Sequence, residues 1–194
     1  TYGLSTVQSL RQMPLSNDYN TLVKRFFDIV FSLFIIMFFL SWITPIIALL
    51  IKIESSGPVF FKQTRNGIKY KEFTCYKFRS MVENIDADIQ QATKNDKRVT
   101  KIGKILRKTS LDELPQFYNV LIGNMSVVGP RPHMIKENER YSKSVNKFMV
   151  RHFVKPGITG LAQVKGFRGE IETNEDIINS CLLYTSPSPR DLTA

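Results

Sequence analysis

The sequence predicts an α+β protein, mainly helical, attached to a membrane. Three observations carry that expectation. A long uncharged apolar run lies near the N-terminus. An Asn-Gly pair separates two short β-type segments. Several later segments show helical spacing with basic faces.

The chain has 194 residues and a formal net charge of +10. Hydrophobic residues make up 43% and charged residues 23%, which excludes a fully disordered chain. Such a positive excess points to an anionic partner: nucleic acid, anionic lipid or a phosphorylated substrate. The two cysteines, Cys75 and Cys181, imply no disulfide framework and favour a reducing compartment. His133 and His152 lie far apart without a metal-ligand spacing, so both read as ordinary polar residues.

Residues 1–20 are polar and irregular, contain Pro14, and read as a linker from a missing upstream region. Residues 21–54 hold the membrane segment. From Ile29 to Ile51 the chain is uncharged for 23 residues, and about 20 apolar residues cross a bilayer core. Pro45 sits inside this run, removes a backbone donor and predicts a kink. Both flanks are basic, with Lys24 and Arg25 before and Lys52, Lys62 and Arg65 after. Positive residues favour the cytoplasmic side, so a re-entrant helix bent near Pro45 is favoured over a spanning one. Ser41 and Thr44 are the nearby hydroxyls able to serve backbone groups freed at the bend.

Beyond Gly57-Pro58, the pair Asn66-Gly67 predicts a β-hairpin turn. In its second strand Phe73, Cys75, Lys77 and Arg79 share one face. Residues from Val82 to Ala92 read as a solvated helix. Val99 to Lys108 reads as an amphipathic helix with a basic face. Leu114, Phe117, Tyr118, Leu121 and Ile122 form a helical stripe that Gly123 stops. Another amphipathic helix is expected from about Lys136 to His152, lying on lipid headgroups or on the domain core. Residues 55–180 thus make one cytoplasmic domain. From Cys181 to Asp191 the chain resembles a translated sequencing adapter, so residues 181–194 are expected to be foreign to the protein and the domain C-terminally truncated.

Three runs could carry chemistry. Asp112 and Glu113 lie near a helix start, where backbone N–H groups favour carboxylates and phosphate. Ser110 and Glu113 have capping-box spacing, and simple helix capping is the plainer local reading. Adjacent carboxylates project about 100° apart on a helix, so one can face a substrate atom while the other holds a hard cation. In Gly129-Pro130-Arg131-Pro132 two prolines stiffen the backbone around an arginine suited to bidentate phosphate recognition, or to pairing with a core carboxylate. Lys155-Pro156-Gly157-Ile158-Thr159-Gly160 would allow close backbone approach to a ligand.

Six runs in order resemble the bacterial sugar transferase family, the monotopic polyprenyl-phosphate phosphoglycosyl transferases. They are Lys24 to Asp28, Gly57 to Gln63, Lys77 to Met81, Ser110 to Gln116, Met125 to Pro132 and Pro156 to Val164. The resemblance covers about Asn20 to Glu170 and is that of the C-terminal catalytic part of a longer protein. It implies a re-entrant helix broken at Thr44-Pro45, on the bacterial inner membrane with the catalytic domain on the cytoplasmic face. It implies transfer of a phosphosugar from a UDP-sugar to undecaprenyl phosphate with release of UMP, initiating a surface glycan. Asp112 would be the nucleophile of a covalent intermediate, Glu113 would hold Mg²⁺, and Arg131, with Lys77 and Arg79, would bind phosphate. The lipid bilayer is a further partner, no nucleic acid is expected, and a homodimer is left open. A membrane-tethered basic binding module and an inactive truncated fragment are the competing readings.

Overall fold

The computed structural model describes residues 17–82, 96–144 and 148–164. The expected polar helix after Val82 and the adapter-like tail lie outside these residues, apart from the first residue of that helix.

Asn17 opens the first helix, its side chain accepting the Tyr19 N–H at 2.9 Å. Helix α1 (Asp18–Ile35) runs through a π-helical turn (Ile36–Leu40) into α2 (Ser41–Glu54), which contains Pro45. Together they form one apolar helical segment of 37 residues. The irregular turn precedes Pro45 rather than sitting on it. The Ser41 hydroxyl donates to the Met37 carbonyl across this junction. Among the described residues the buried Thr44 hydroxyl has no hydrogen-bond partner.

Most large apolar side chains of this segment, among them Phe26, Phe38, Trp42 and Ile53, face outward. The segment is long and apolar enough to cross a membrane, and an exposed apolar surface of this kind marks a membrane or protein contact. Leu40, Ile47 and Ile51 are buried instead and join the protein core.

Strands β1 (Phe60–Asn66) and β2 (Glu72–Phe78) pair antiparallel, from Phe60 opposite Phe78 to Asn66 opposite Glu72. They are not joined by a two-residue Asn-Gly turn. Asn66 ends β1, Gly67 is extended, and Ile68–Tyr70 forms a 3-10 turn with Lys69 and Tyr70 left-handed. Gly67 closes this loop by donating to the Lys71 carbonyl at 2.8 Å. The Tyr70 ring lies against that of His152, with the centroids 4.6 Å apart.

Helix α3 (Lys101–Thr109) starts at Thr100, whose hydroxyl accepts the Gly103 N–H at 2.9 Å. Helix α4 (Gln116–Ile122) stops at Gly123, which is left-handed as its sequence position requires. Strand β3 (Ser126–Val128) then pairs in parallel with β4 (Gly157–Thr159), and α5 (Ile135–Ser144) lies in the connection. A 3-10 segment (Phe148–Phe153) precedes β4 and α6 (Leu161–Val164) follows it. The single helix expected from Lys136 to His152 is therefore two elements. Tyr141 is buried, so this part of α5 packs on the domain.

The parallel pair has no clear sequence signal, because each strand is only three residues long. Its glycines explain themselves in the structure. A side chain on Gly157 would come within 2.1 Å of the Gly129 nitrogen, so the two backbones meet directly. Gly157 thus serves packing between the two runs.

The core joins Phe73, Cys75 and Phe78 of β2 to Leu106 of α3, to Phe117 and Val120 of α4, and to Met125 and Val127. Both ends of the apolar segment are fastened to this one domain. At the first end, Arg25 donates to the Val120 and Leu121 carbonyls at 2.6 and 2.8 Å. Asp28 accepts from the Ser126 hydroxyl at 3.0 Å and the Val127 N–H at 2.9 Å. At the other end, Glu54 accepts the Lys101 and Ile102 N–H groups of α3 at 2.6 and 2.8 Å.

Candidate active site

The adjacent carboxylates sit where α3 hands over to α4. Ser110 turns left-handed, with φ of 59°, and ends α3. The chain then makes one 3-10 turn, Leu111–Glu113, before Pro115 starts α4. The capping box that the spacing suggests does not form. Ser110 makes no side-chain cap, and Glu113 turns to cations instead. Proline at 115 suits this layout, since its missing N–H and fixed φ fall at a helix start.

Asn119 fixes the register between this turn and the hairpin. Its fully buried amide donates to the Thr74 carbonyl at 2.7 Å and accepts the Tyr76 N–H at 3.0 Å. It thereby acts as a neighbouring strand for β2. The next residue, Lys77, falls opposite Glu113, and their charged atoms are 2.7 Å apart. From the other side Arg131 grips Glu113 with two bonds, at 2.6 and 3.1 Å. The planar guanidinium fork matches both carboxylate oxygens.

The two carboxylates are consequently different groups. Burial works against the charge on Glu113, but Lys77 and Arg131 overcome it and hold its pKa down at about 2. Burial pushes the Asp112 carboxyl above its ordinary value, with Lys77 opposing and the Glu113 charge adding to the rise. Asp112 is 9% exposed and, among the described residues, makes no hydrogen bond or ion pair. A poorly solvated, unpaired carboxylate facing several cations is suited to nucleophilic attack on an electrophile that brings negative charge with it.

The structure thus brings together Asp112, Glu113, Lys77 and Arg131. It does not bring Arg79 to them. That guanidinium is buried and donates to the Ser55 and Ser56 carbonyls, just past the end of α2. A strand end, where the alternation runs out, explains the divergence from Lys77. Thr44 and Pro45 lie within α2 of the apolar segment.

Sequence reasoning missed Arg107. Its Nε donates to the Ser80 hydroxyl at 2.9 Å, and its charge acts on Asp112. Position on a basic helix face hid it among Lys101, Lys104 and Lys108. Asn119 was equally hidden, as one polar residue inside an apolar stripe. That interruption was the available signal.

Among the described residues no three His, Cys, Asp or Glu side chains cluster as a metal cage. Mg²⁺ does not need one, since it commonly uses one or two carboxylates plus substrate phosphates. Glu113 accepts three hydrogen bonds, two at Oε1 and one at Oε2, and has about four acceptor sites, so one position stays open on Oε2. The donor set fits such an ion.

Residues 19–186 match the family described as "Bacterial sugar transferase". The chain is 55% identical over 183 residues to a UDP-glucose:undecaprenyl-phosphate glucose-1-phosphate transferase of Klebsiella pneumoniae, covering 92% of this chain and 39% of that protein. It is 48% identical over 152 residues to the exopolysaccharide production protein PSS of Rhizobium leguminosarum bv. phaseoli, covering 76% of each. It is 46% identical over 143 residues to a UDP-N-acetylgalactosamine-undecaprenyl-phosphate N-acetylgalactosaminephosphotransferase of Aeromonas hydrophila, covering 73% of this chain and 34% of that protein. The chain therefore spans well under half the length of two of these curated relatives.

Proposed function

The chain belongs to the bacterial sugar transferase family, and from that premise we propose that it transfers a sugar phosphate from a UDP-sugar to undecaprenyl phosphate at the membrane surface. The observation that carries the proposal is the unpaired, buried Asp112 carboxylate set among Lys77, Arg107 and Arg131. A nucleotide sugar offers what that arrangement suits: an electrophilic phosphorus inside a polyanion.

In the proposed reaction an Asp112 oxygen attacks the sugar-linked phosphorus. The bond from that phosphorus to the bridging oxygen breaks, and UMP leaves with the electron pair. An acyl-phosphate sugar remains on Asp112. A phosphate oxygen of undecaprenyl phosphate then attacks the same phosphorus, and Asp112 departs as a carboxylate. Each step exchanges one P–O bond for another, so no oxidant or reductant is required. Lys77 and Arg131 neutralise the charge that gathers on the phosphoryl oxygens. Mg²⁺, held through the open position on Glu113, would supply further neutralisation of the diphosphate. Arriving phosphates also offer Lys77 and Arg131 new acceptors, which frees Glu113 for the ion.

The acceptor is a lipid, so the site has to lie at the bilayer. Several features support a re-entrant helix on the cytoplasmic face of the inner membrane. Arg25 and Glu54, near the ends of the apolar segment, are both tied to one domain. A straight helix would separate them by about 43 Å, more than the roughly 35 Å breadth of a domain of this size. Leu40 is 1% exposed although it lies in the middle of the segment. Burial that deep is expected inside the angle of a bend, not on a lone straight helix.

The test is release of UMP from UDP-glucose and UDP-N-acetylgalactosamine in the presence of undecaprenyl phosphate and Mg²⁺. The expected result is turnover with one of them and its loss, by at least about a thousandfold, in Asp112→Asn. Full activity of Asp112→Asn would remove Asp112 from the chemistry. Salt-sensitive lipid binding without turnover would instead favour a basic tethering module.

A further inference from the structure

The segment that delivers Arg131 has an unusual feature. Pro130 and Pro132 carry no N–H, so the loop's carbonyl oxygens are the main handles by which the fold can hold it. All three successive carbonyls are taken, each by a different element. The Pro130 carbonyl accepts the Gly157 N–H of β4 at 2.9 Å. The Arg131 carbonyl accepts from the Arg151 guanidinium of the 3-10 segment. The Pro132 carbonyl accepts from Arg65 Nη1 of β1 at 2.7 Å.

Both arginines are themselves fixed. Arg151 is buried. Arg65 also donates to the Gln63 side chain, whose amide reaches the Met134 sulfur at 3.4 Å. The backbone of Arg65 pairs with Met134 as an isolated antiparallel bridge. The loop from Arg131 to Met134 therefore lies along the free edge of β1. Placing two guanidinium groups beside a third is costly. Burial lowers the affinity of Arg65 for its proton, and the nearby Arg131 charge lowers it further. Neutral side chains could have stapled the loop without that repulsion. Arginine reaches farther and adds positive potential where phosphate is to arrive.

We propose that Arg65 and Arg151 are positioning residues for the transfer reaction. By gripping the carbonyls of Pro132 and Arg131 they aim the Arg131 guanidinium at Glu113 and at the phosphates beside Asp112. The proposal rests on the function proposed above for Arg131. It assigns neither arginine a contact with substrate. Orientation effects of this kind act on the transition state more than on ground-state binding, so they appear in kcat.

The experiment is a double-mutant cycle on the full chain in lipid nanodiscs, following UMP release. Arg151→Met and Arg65→Met are each made in the wild-type and Arg131→Gln backgrounds. In the wild-type background each is expected to lower kcat about tenfold with KM within about twofold. Arg151→Lys keeps one donor and should recover most of the loss. In the Arg131→Gln background each change should cost less than about twofold, because the group being aimed is gone. Equal losses in both backgrounds would overturn the proposal, as would Arg151→Lys behaving like Arg151→Met.

Absence of turnover in the wild-type chain counts against the proposed function, and a second measurement then decides the positioning claim alone. The Arg131 side-chain N–H resonances are followed by ¹⁵N NMR. Restricted rotation that becomes free in Arg65→Met or Arg151→Met, with the melting temperature held, supports positioning. Resonances unchanged in both variants overturn it.

Discussion

Asp112 and Glu113 are neighbours with the same functional group, yet their surroundings drive them apart. Glu113 is neutralised from two sides by Lys77 and Arg131, which overcome burial and hold its pKa down at about 2. Asp112 has burial without a paired cation, and its pKa rises above the ordinary 3.8. The proposed nucleophile must be ionised. Activity should therefore fall on acidification through a pKa above that of a solvated aspartate, while Glu113 contributes nothing to the same limb. Lys77 opposes the rise, so Lys77→Met should move the limb to still higher pH. A pH series of single-turnover UMP release measures this, and an unmoved limb would separate Lys77 from Asp112. The pair was visible in the sequence as Asp-Glu, but its division of labour was not. That depends on Lys77 and Arg131, which lie 36 and 18 residues from Glu113.

At the scale of elements, α4 and β2 are locked by one side chain. Asn119 supplies both hydrogen bonds that a third strand would give β2 at Thr74 and Tyr76. Asn119→Ala leaves those buried backbone groups unpaired and should cost about 3 kcal/mol, measured by urea denaturation. Because the same bonds set Lys77 opposite Glu113, kcat should fall as well. The helices were legible because α3 and α4 keep an apolar stripe and end at Ser110 and Gly123. Their exact handover was not, because the Ser110–Glu113 spacing resembles a capping box that tertiary ion pairs override. The β3–β4 pair was illegible for another reason. Strands of three residues have no period to read, and parallel partners 31 residues apart leave only their glycines as a trace. Arg79 illustrates the limit of a periodicity argument. Alternation put it beside Lys77, but β2 ends at Phe78 and the side chain turns to the Ser55 and Ser56 carbonyls.

For the molecule as a whole, the apolar segment and the charged cluster are one assembly. Lys24, Arg25 and Asp28 tie the start of the segment to α4 and β3, while Glu54 and Arg79 tie its end to α3 and β2. The proposed site is thus held at a fixed position relative to the apolar segment, which suits the lipid acceptor proposed for it. Cysteine labels introduced at Asn20 and Lys62 should react from the same side of inverted vesicles. Reaction from opposite sides would contradict the re-entrant reading. The central claim is that Asp112 carries the sugar phosphate between donor and acceptor. Intact-mass spectrometry of the chain mixed with UDP-glucose and Mg²⁺, with undecaprenyl phosphate left out, tests it most directly. The account predicts a mass gain of one hexose phosphate that maps to Asp112, is absent in Asp112→Asn and disappears when undecaprenyl phosphate is added. UMP released at the full rate with no adduct, or an adduct that survives in Asp112→Asn, would contradict it.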